Sequence, residues 1–291
     1  MNTFTKCFIS LAFCSVFTPQ IFAQDQQAST EETTDKPVKA TFSTNVLIDN
    51  PTVIQPFKGN LNFEISHRFS NFSNGIKDLY GIYGEANTRL GLEYGISDRI
   101  MVGIGTTRNS QLQDLNWKVS ILQQTQSGSM PLSLSYYGNV VLDARDNSFF
   151  GPTADYKFIH RFSYFTELML ARKFSKAFSF QVAPEFAYYN GIDNTYKNVN
   201  LGLSFGGRVK VLPSQSIIFE YDIPFFKNDS IHASPKPNLG LGWEIGTGTH
   251  CFQIFVSNYH DIIYQHNMVY NTESGLNKKN LQIGFNITVR F

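Results

Sequence analysis

The sequence predicts an all-β protein, a transmembrane antiparallel up-and-down β-barrel of about twelve strands. Three observations carry this prediction. From Leu61 onward apolar and polar residues alternate with a period of two, in runs near the roughly 9–11 residues that a tilted strand needs to cross the hydrocarbon layer. The connections alternate between long (near 70–83, 143–157, 227–237 and 261–278) and short (95–98, 172–176, 212–215 and 248–250), and a soluble sandwich has no reason to sort its loops by end. Aromatic residues make up 15% of the chain, a surplus that a membrane barrel places on its outer wall and in interfacial girdles.

Taken in order, the chain opens with Lys6, an apolar stretch from Cys7 to Phe17, Pro19 and a small-residue exit at Ala23. This is the layout of a secretory signal, so 1–23 are expected to be removed, with a cut after Gln24 as the alternative. A lipoprotein site at Cys14 is opposed by the bulky Phe13 beside it. Cys7 and Cys14 leave with the signal, and Cys251, the remaining cysteine, has no intramolecular partner. Residues 24–58 form an expected periplasmic linker and possible mouth segment. Its polar part, 25–40, lacks an apolar period, whereas 41–58 regains Phe42, Val46, Leu47, Ile48, Val53, Ile54 and Phe57, interrupted by Asn50, Pro51 and Pro56. Whether 41–58 folds back into the barrel mouth stays open at this point. The barrel itself is assigned to 59–291.

Leu61, Phe63, Ile65 and Phe69 share one face of the first strand, against Asn62, Glu64, Ser66 and Arg68 on the other. A second strand runs to Gly95-Ile96-Ser97-Asp98, and a third starts at Ile100. Similar runs follow at 115–122, 132–142, 158–170, 178–188, 199–211, 217–225, 239–247 and 251–259, and the last is Leu281–Phe291. An even count puts both termini at one end, expected to be periplasmic.

No stretch beyond the signal approaches the ~18 uninterrupted apolar residues of a spanning helix. A formal net charge of +1 gives no electrostatic footprint for nucleic acid. The charged residues at inward parity are the most informative set: Glu64, Arg68, Glu85, Arg89, Glu93, Lys118, Arg161, Glu185, Arg208, Lys210, Glu220, Asp222, Glu244 and Arg290 are expected to line the lumen, with Arg99 and Glu167 in the same constellation. Their signs balance, which reads either as mutually neutralising ion pairs filling a narrow barrel or as a pore lined by both signs. Arg208 and Lys210 are expected to neutralise Glu220 and Asp222 across the ladder.

Phe291, terminating the alternating last strand, resembles the C-terminal signal of bacterial outer-membrane barrels, which implies delivery to the barrel-assembly machinery. Ile65-Ser66-His67-Arg68-Phe69, Leu92-Glu93-Tyr94-Gly95-Ile96-Ser97-Asp98-Arg99, Val102-Gly103-Ile104-Gly105 and Met130-Pro131 resemble a bacterial barrel family, domain of unknown function 5777, over roughly 41–291. That resemblance implies an outer-membrane barrel and supplies no catalytic set.

No phosphate loop, cysteine metal pair, haem motif or helical zinc signature occurs in the mature sequence, so no cofactor or metal is expected. His232-Ala233-Ser234 resembles the histidine-x-serine pairing of the outer-membrane phospholipase, but Pro235 and Pro237 crowd it in a loop. His260-Asp261 with His266 offers ligand or proton-transfer chemistry, against the plainer reading of a solvated polar loop. His67 and His160 fall on the apolar face, as at strand ends near an interface. The expected function is a passive outer-membrane channel or transporter-like barrel for small solutes, in contact with outer-membrane lipid. The alternatives are a closed structural or scaffold barrel and, remotely, a membrane-embedded hydrolase.

Overall fold

The computed structural model describes residues 35–150, 155–226, 231–273 and 275–291, so the expected signal segment and the first part of the linker lie outside the described residues. Two short strands come first, β1 (Val46–Leu47) and β2 (Asn50–Pro51), paired as an antiparallel hairpin. Twelve long strands follow: β3 (Leu61–Asn71), β4 (Asn87–Ser97), β5 (Ile100–Thr107), β6 (Leu112–Leu122), β7 (Ser133–Asp143), β8 (Phe162–Lys173), β9 (Phe178–Tyr189), β10 (Val199–Leu212), β11 (Gln215–Pro224), β12 (Asn238–Gly246), β13 (His250–Ser257) and β14 (Gln282–Arg290). Each pairs antiparallel with the next and β14 pairs back with β3, so the barrel closes and every strand edge is used. Among the described residues one α-helix, α1 (Tyr264–Tyr270), forms, in the β13–β14 connection. No helix among the described residues is long and apolar enough to cross a membrane.

The period-two pattern fixes which face is which, because a one-residue slip would invert every side chain. Glu64, Arg89, Glu185, Arg208 and Glu244 are buried, whereas their neighbours Phe63, Leu90, Phe186, Leu203 and Trp243 are half-buried or exposed. Leu92, Ile104, Leu115, Leu241 and Ile254 extend the exposed apolar surface around the wall. A large outward apolar surface on a closed barrel with a polar interior is the arrangement for a lipid surround.

The β3–β14 seam joins the chain ends: Leu61 N–H donates to the Phe291 carbonyl (3.2 Å), and Phe291 N–H to that of Leu61 (2.8 Å). The end of the barrel bearing this seam is called the terminal end, and the other the loop end. Long connections (72–86, 144–161, 190–198, 225–237 and 258–281) gather at the loop end and short ones (98–99, 174–177, 213–214 and 247–249) at the terminal end. Two break the sorting. Residues 108–111 are short at the loop end, and 123–132 are long at the terminal end, where they dock the incoming chain. Pro37 bridges Thr125, and Asp35 takes hydrogen bonds from the hydroxyls of Ser127 and Ser129. Those hydroxyls, Ser127 first, hold the exposed Asp35 carboxyl down at about 2, so this tether stays ionised.

Local departures from the expected boundaries have local causes. Residues 158–161 form a turn of 3-10 helix instead of opening β8, closed by reciprocal bonds between Lys157 and His160. β6 starts at Leu112, ahead of the expected Leu115, which turns Asp114 inward. Asp98, in the turn after β4, accepts from Lys58 N–H (3.0 Å) across the terminal end.

The register predicts a depth-independent contrast in lipid access. Nitroxides at Leu241→Cys and Ile254→Cys are expected to be relaxed by oxygen dissolved in the bilayer, and labels at Ser135→Cys and Ser257→Cys to be shielded from it. The opposite ranking of the two pairs would contradict the facing.

Candidate functional site

The inner face of the barrel is polar, and 41–54 occupy the space it encloses. Phe42, Val46, Leu47, Ile48 and Val53 are buried there, with Thr41, Thr44, Asn45, Asp49, Asn50 and Thr52. A non-helical segment inside a membrane barrel must have its polar groups met by the surrounding protein. The wall does this with long side chains from many strands. Gln181 donates to the Pro51 carbonyl (2.7 Å) and accepts from Val53 N–H (3.2 Å). Gln253 donates to the Val46 carbonyl (3.0 Å), and Lys118 Nζ to the carbonyls of Ile54 (2.7 Å) and Asn45 (3.3 Å). Nearer the terminal end, Ser43 donates to Glu244 (2.6 Å), and Arg290 reaches the Ser43 carbonyl.

The hairpin tip, Ile48-Asp49, is the most constrained point. Ile48 adopts a left-handed φ of 56°, which for a β-branched residue costs about 1–3 kcal/mol. Arg68, 0% exposed, donates to Asp49 (2.7 Å), to the Ile48 carbonyl (3.2 Å) and to Asn286 (3.0 Å), and its guanidinium lies 4.5 Å from the centre of the Phe255 ring. Four strands round the wall, on β11, Glu220 accepts the N–H groups of Asp49 (3.0 Å) and Asn50 (3.1 Å) and the Tyr259 hydroxyl, while Asn50 donates to Asp222 (2.6 Å). The wall is also cut to receive the tip. A Cβ at Gly206 would sit 2.8 Å from the Leu47 side chain, and one at Gly240 would sit 3.0 Å from that of Ile48.

From the loop end, α1 descends onto the same junction. Gln265 and Asn139 exchange hydrogen bonds (3.0 and 3.3 Å), Gln265 donates to Ser163 (3.2 Å), and Asn267 donates to Asp49. Tyr264 packs its ring against Tyr137 (5.4 Å) and Phe165 (5.2 Å). The hairpin from one end and the helix from the other therefore meet at Asp49 and fill the barrel. Above α1 a vestibule of about 750 Å³ opens among the long loops, lined by Arg145, Arg161, Tyr189, Tyr196, His266 and Tyr270 among others.

Several expectations are corrected. Glu85 is exposed ahead of β4, and Arg99 is exposed in a turn at the terminal end. Arg161 sits at the rim, donating to the carbonyls of Asp143 (2.7 Å) and Arg145, so it braces the vestibule instead of the lumen. Lys210 and Arg290 are only half-buried, near the terminal end. Glu64, Arg68, Arg89, Glu93, Lys118, Glu167, Glu185, Arg208, Glu220, Asp222 and Glu244 are buried on the inner side, joined by Asp114 and Asp49, which the sequence reading left out. The expected charge balance fails: buried acids are Asp49, Glu64, Glu93, Asp114, Glu167, Glu185, Glu220, Asp222 and Glu244, whereas buried bases are Arg68, Arg89, Lys118 and Arg208. Arg89 grips Asp114 through two nitrogens (2.8 and 2.7 Å) and Glu64 through a third (3.2 Å), and Arg208 pairs with Glu244 (2.7 Å). The expected pairing of Arg208 and Lys210 with Glu220 and Asp222 is absent, because the register sets Glu220 opposite Gly206 and Asp222 opposite Ser204, closer to the loop end. Glu93, Glu167, Glu185, Glu220 and Asp222 have no ion pair among the described residues.

His260 is exposed, whereas His266 is buried in α1 with its ring 4.9 Å from Tyr270. Burial pushes the His266 imidazole below its ordinary range. No group of three or more His, Cys, Asp or Glu side chains among the described residues is placed to hold a metal. Ala233 of the His232-Ala233-Ser234 run bonds the Thr195 carbonyl (2.7 Å) in the loop layer, away from any strand. His67 stacks on Phe285 on the outer wall (4.9 Å).

Fold and facing define a membrane β-barrel. The chain belongs to the family described as membrane bound beta barrel domain, domain of unknown function 5777, whose model matches residues 42–291. A comparison with curated proteins returns no match. Among solved structures, the NanC porin superposes with a TM-score of 0.51 at 9% identity, covering 79% of this chain and 98% of that one. An outer membrane channel from Pseudomonas putida F1 gives 0.49 at 10% identity, covering 82% and 97%. The likeness to the NanC porin is one of fold. The matched family segment begins at 42, so it includes the hairpin as well as the wall.

The tip predicts an asymmetric mutational response. Asp49→Ala leaves a buried guanidinium unpaired and is expected to cost about 3–5 kcal/mol, whereas Arg68→Met with Asp49→Leu, which removes both charges, is expected to recover most of that. Urea unfolding in detergent reads this directly, and a double variant at least as damaged as Asp49→Ala would contradict a dry ion pair.

Proposed function

We infer that this chain is an outer-membrane channel for small polar solutes whose closed state is the one described, with the N-terminal hairpin as the removable part. The observation that carries the reading is the construction of the obstruction. The barrel closes without it, and 41–54 enter as a separate segment held by side-chain contacts rather than by strands shared with the wall. Withdrawal of the segment would leave a wall lined by Glu64, Arg89, Asp114, Gln181, Glu220 and Glu244, chemistry that suits hydrated solutes. The vestibule, with both charges and aromatic faces, forms the approach. Both termini lie on the periplasmic side in this reading, with long loops outside, and Phe291, exposed at the seam, is the handle for the barrel-assembly machinery.

A closed scaffold barrel is the second reading, favoured by the density of hydrogen bonds at the hairpin tip. Hydrolysis has less support: His232 and His260 lie in the loop layer and His266 in α1, away from the strands that could fix a nucleophile and base.

Planar bilayers separate the two main readings. The full mature chain is expected to give little current, and a variant lacking 24–54 to give stepwise openings. Continued silence of a correctly inserted variant that lacks 264–270 of α1 as well as 24–54 would favour the scaffold. The same recording tests the acidic bias of the wall. The deletion removes Asp49 but retains the other buried acids against Arg68, Arg89, Lys118 and Arg208, so a KCl gradient is expected to give a cation-selective reversal potential that weakens as salt rises. An anion-selective or unselective pore would show that these acids do not set the field.

A further inference from the structure

Where hairpin, wall and α1 converge, a small cavity of about 10 Å³ has as its polar lining Asn50 of the hairpin, Glu185 of β9, Asp222 of β11, Asn238 of β12, and Tyr264 and Asn267 of α1, with Pro224 and Met268 beside them. Glu185 and Asp222 reach it from either side of β10, opposite Gly202 and Ser204 respectively. Both carboxyls are buried, and neither has a cation at ion-pair distance among the described residues. Two adjacent carboxylates in a dry site repel each other and lose their hydration, so they need either protons or a cation. Asn267 points to the cation. This side chain is 5% exposed, its amide nitrogen is committed to Asp49, and its amide oxygen has no hydrogen-bond partner. A buried carbonyl oxygen without a donor, on a side chain that lines the same cavity as two carboxylates, is a poor neighbour for their charge but a good co-ligand for a metal ion.

The geometry points to a calcium site here, with the Glu185 and Asp222 carboxylates and the Asn267 amide oxygen as ligands. The donors are all oxygen, which selects a hard cation and disfavours zinc or copper. Two carboxylates balance a divalent ion. The cavity is the size of about one water-sized sphere, so the ion must shed most of its hydration shell. Ca²⁺ accepts carboxylate and amide oxygens in irregular geometry, whereas Mg²⁺ dehydrates reluctantly and demands an octahedron that ligands from separate elements do not provide. The ion would tie α1 to the wall and, through the Asn50–Asp222 hydrogen bond (2.6 Å), secure the hairpin as well. The site does not depend on whether the lumen conducts.

The test uses the full mature barrel folded in a zwitterionic detergent free of lipid, so that headgroup binding contributes nothing. Equilibrium dialysis is expected to find one tightly held Ca²⁺ per chain after extensive removal of weakly bound ions. The thermal midpoint is expected to rise with the logarithm of free Ca²⁺ relative to EDTA, and to move much less with equal Mg²⁺. Glu185→Gln combined with Asp222→Asn is expected to abolish both the bound ion and the Ca²⁺-dependent rise while folding normally in EDTA, since it also removes the repulsion. Asn267→Ala keeps the charges and is expected to weaken Ca²⁺ binding by tenfold or more. Glu85→Gln, exposed ahead of β4 and remote from the cavity, is expected to leave binding unchanged. No bound Ca²⁺, or an undiminished Ca²⁺ response in the double variant, would overturn the site. A midpoint that responds to pH but not to Ca²⁺ would show that protons neutralise the pair instead, and would overturn it equally.

Discussion

The Arg68–Asp49 ion pair joins three parts of the chain at one point: the wall at β3, the tip of the hairpin, and, through Asn267, the helix from the opposite end. Burying both charges is expensive, and their attraction offsets the cost only with good geometry and with their remaining hydrogen-bonding positions filled. Here Asn286, the Ile48 carbonyl and the Phe255 ring complete the guanidinium's surroundings except at Nε, which has no partner. An interaction of this kind adds little net stability over an apolar filling of equal volume. What it confers is position, because one register of the hairpin places Asp49 against Arg68. That fixed position also accounts for the unfavourable backbone at Ile48 and for the small wall residues Gly206 and Gly240 beside Leu47 and Ile48.

Electrostatics then follows from what fills the lumen. A barrel interior that pairs its own charges has no need of a plug, but this one carries more buried carboxyls than buried cations. Part of the excess is met by the hairpin's own donors, as at Glu220, where two backbone N–H groups and a tyrosine hydroxyl converge on one carboxyl. Glu167 has no partner on either oxygen, and Glu185 and Asp222 face the small cavity under α1. The wall and the inserted segment are thus complementary in polar chemistry as well as in shape. Removing the segment exposes acids that the closed state keeps dry.

Much of the barrel was legible in the sequence because period-two alternation is a local property. Strand number, closure, facing and the sorting of most loops all follow from where alternation starts and stops. The interior was less legible. Asn50, Pro51 and Pro56 marked 41–58 as an interrupted segment, and its apolar residues raised the prospect of a mouth plug, but nothing local shows that Asp49 meets Arg68 or that Gly240 receives Ile48. The same limitation produced the expectation of balanced charge. Parity assigns a side chain to the inner face without giving its depth, so Lys210, Arg290 and Arg161, which end near the rims, counted equally with Glu220 and Asp222 in the interior. Asp114 was missed because its strand begins three residues before the expected start, at the end of an apolar-poor run.

Hydrogen exchange in native-like bilayers, followed by mass spectrometry at the hairpin amides, tests the central claim that this segment lies inside the wall as an integral part of the closed barrel. Asp49 and Asn50, whose N–H groups are bound by Glu220, and Val53, bound by Gln181, are predicted to exchange as slowly as strand amides of β3 and β14. Exchange at the rate of unstructured peptide at those three residues, in a barrel whose strands remain protected, would contradict it.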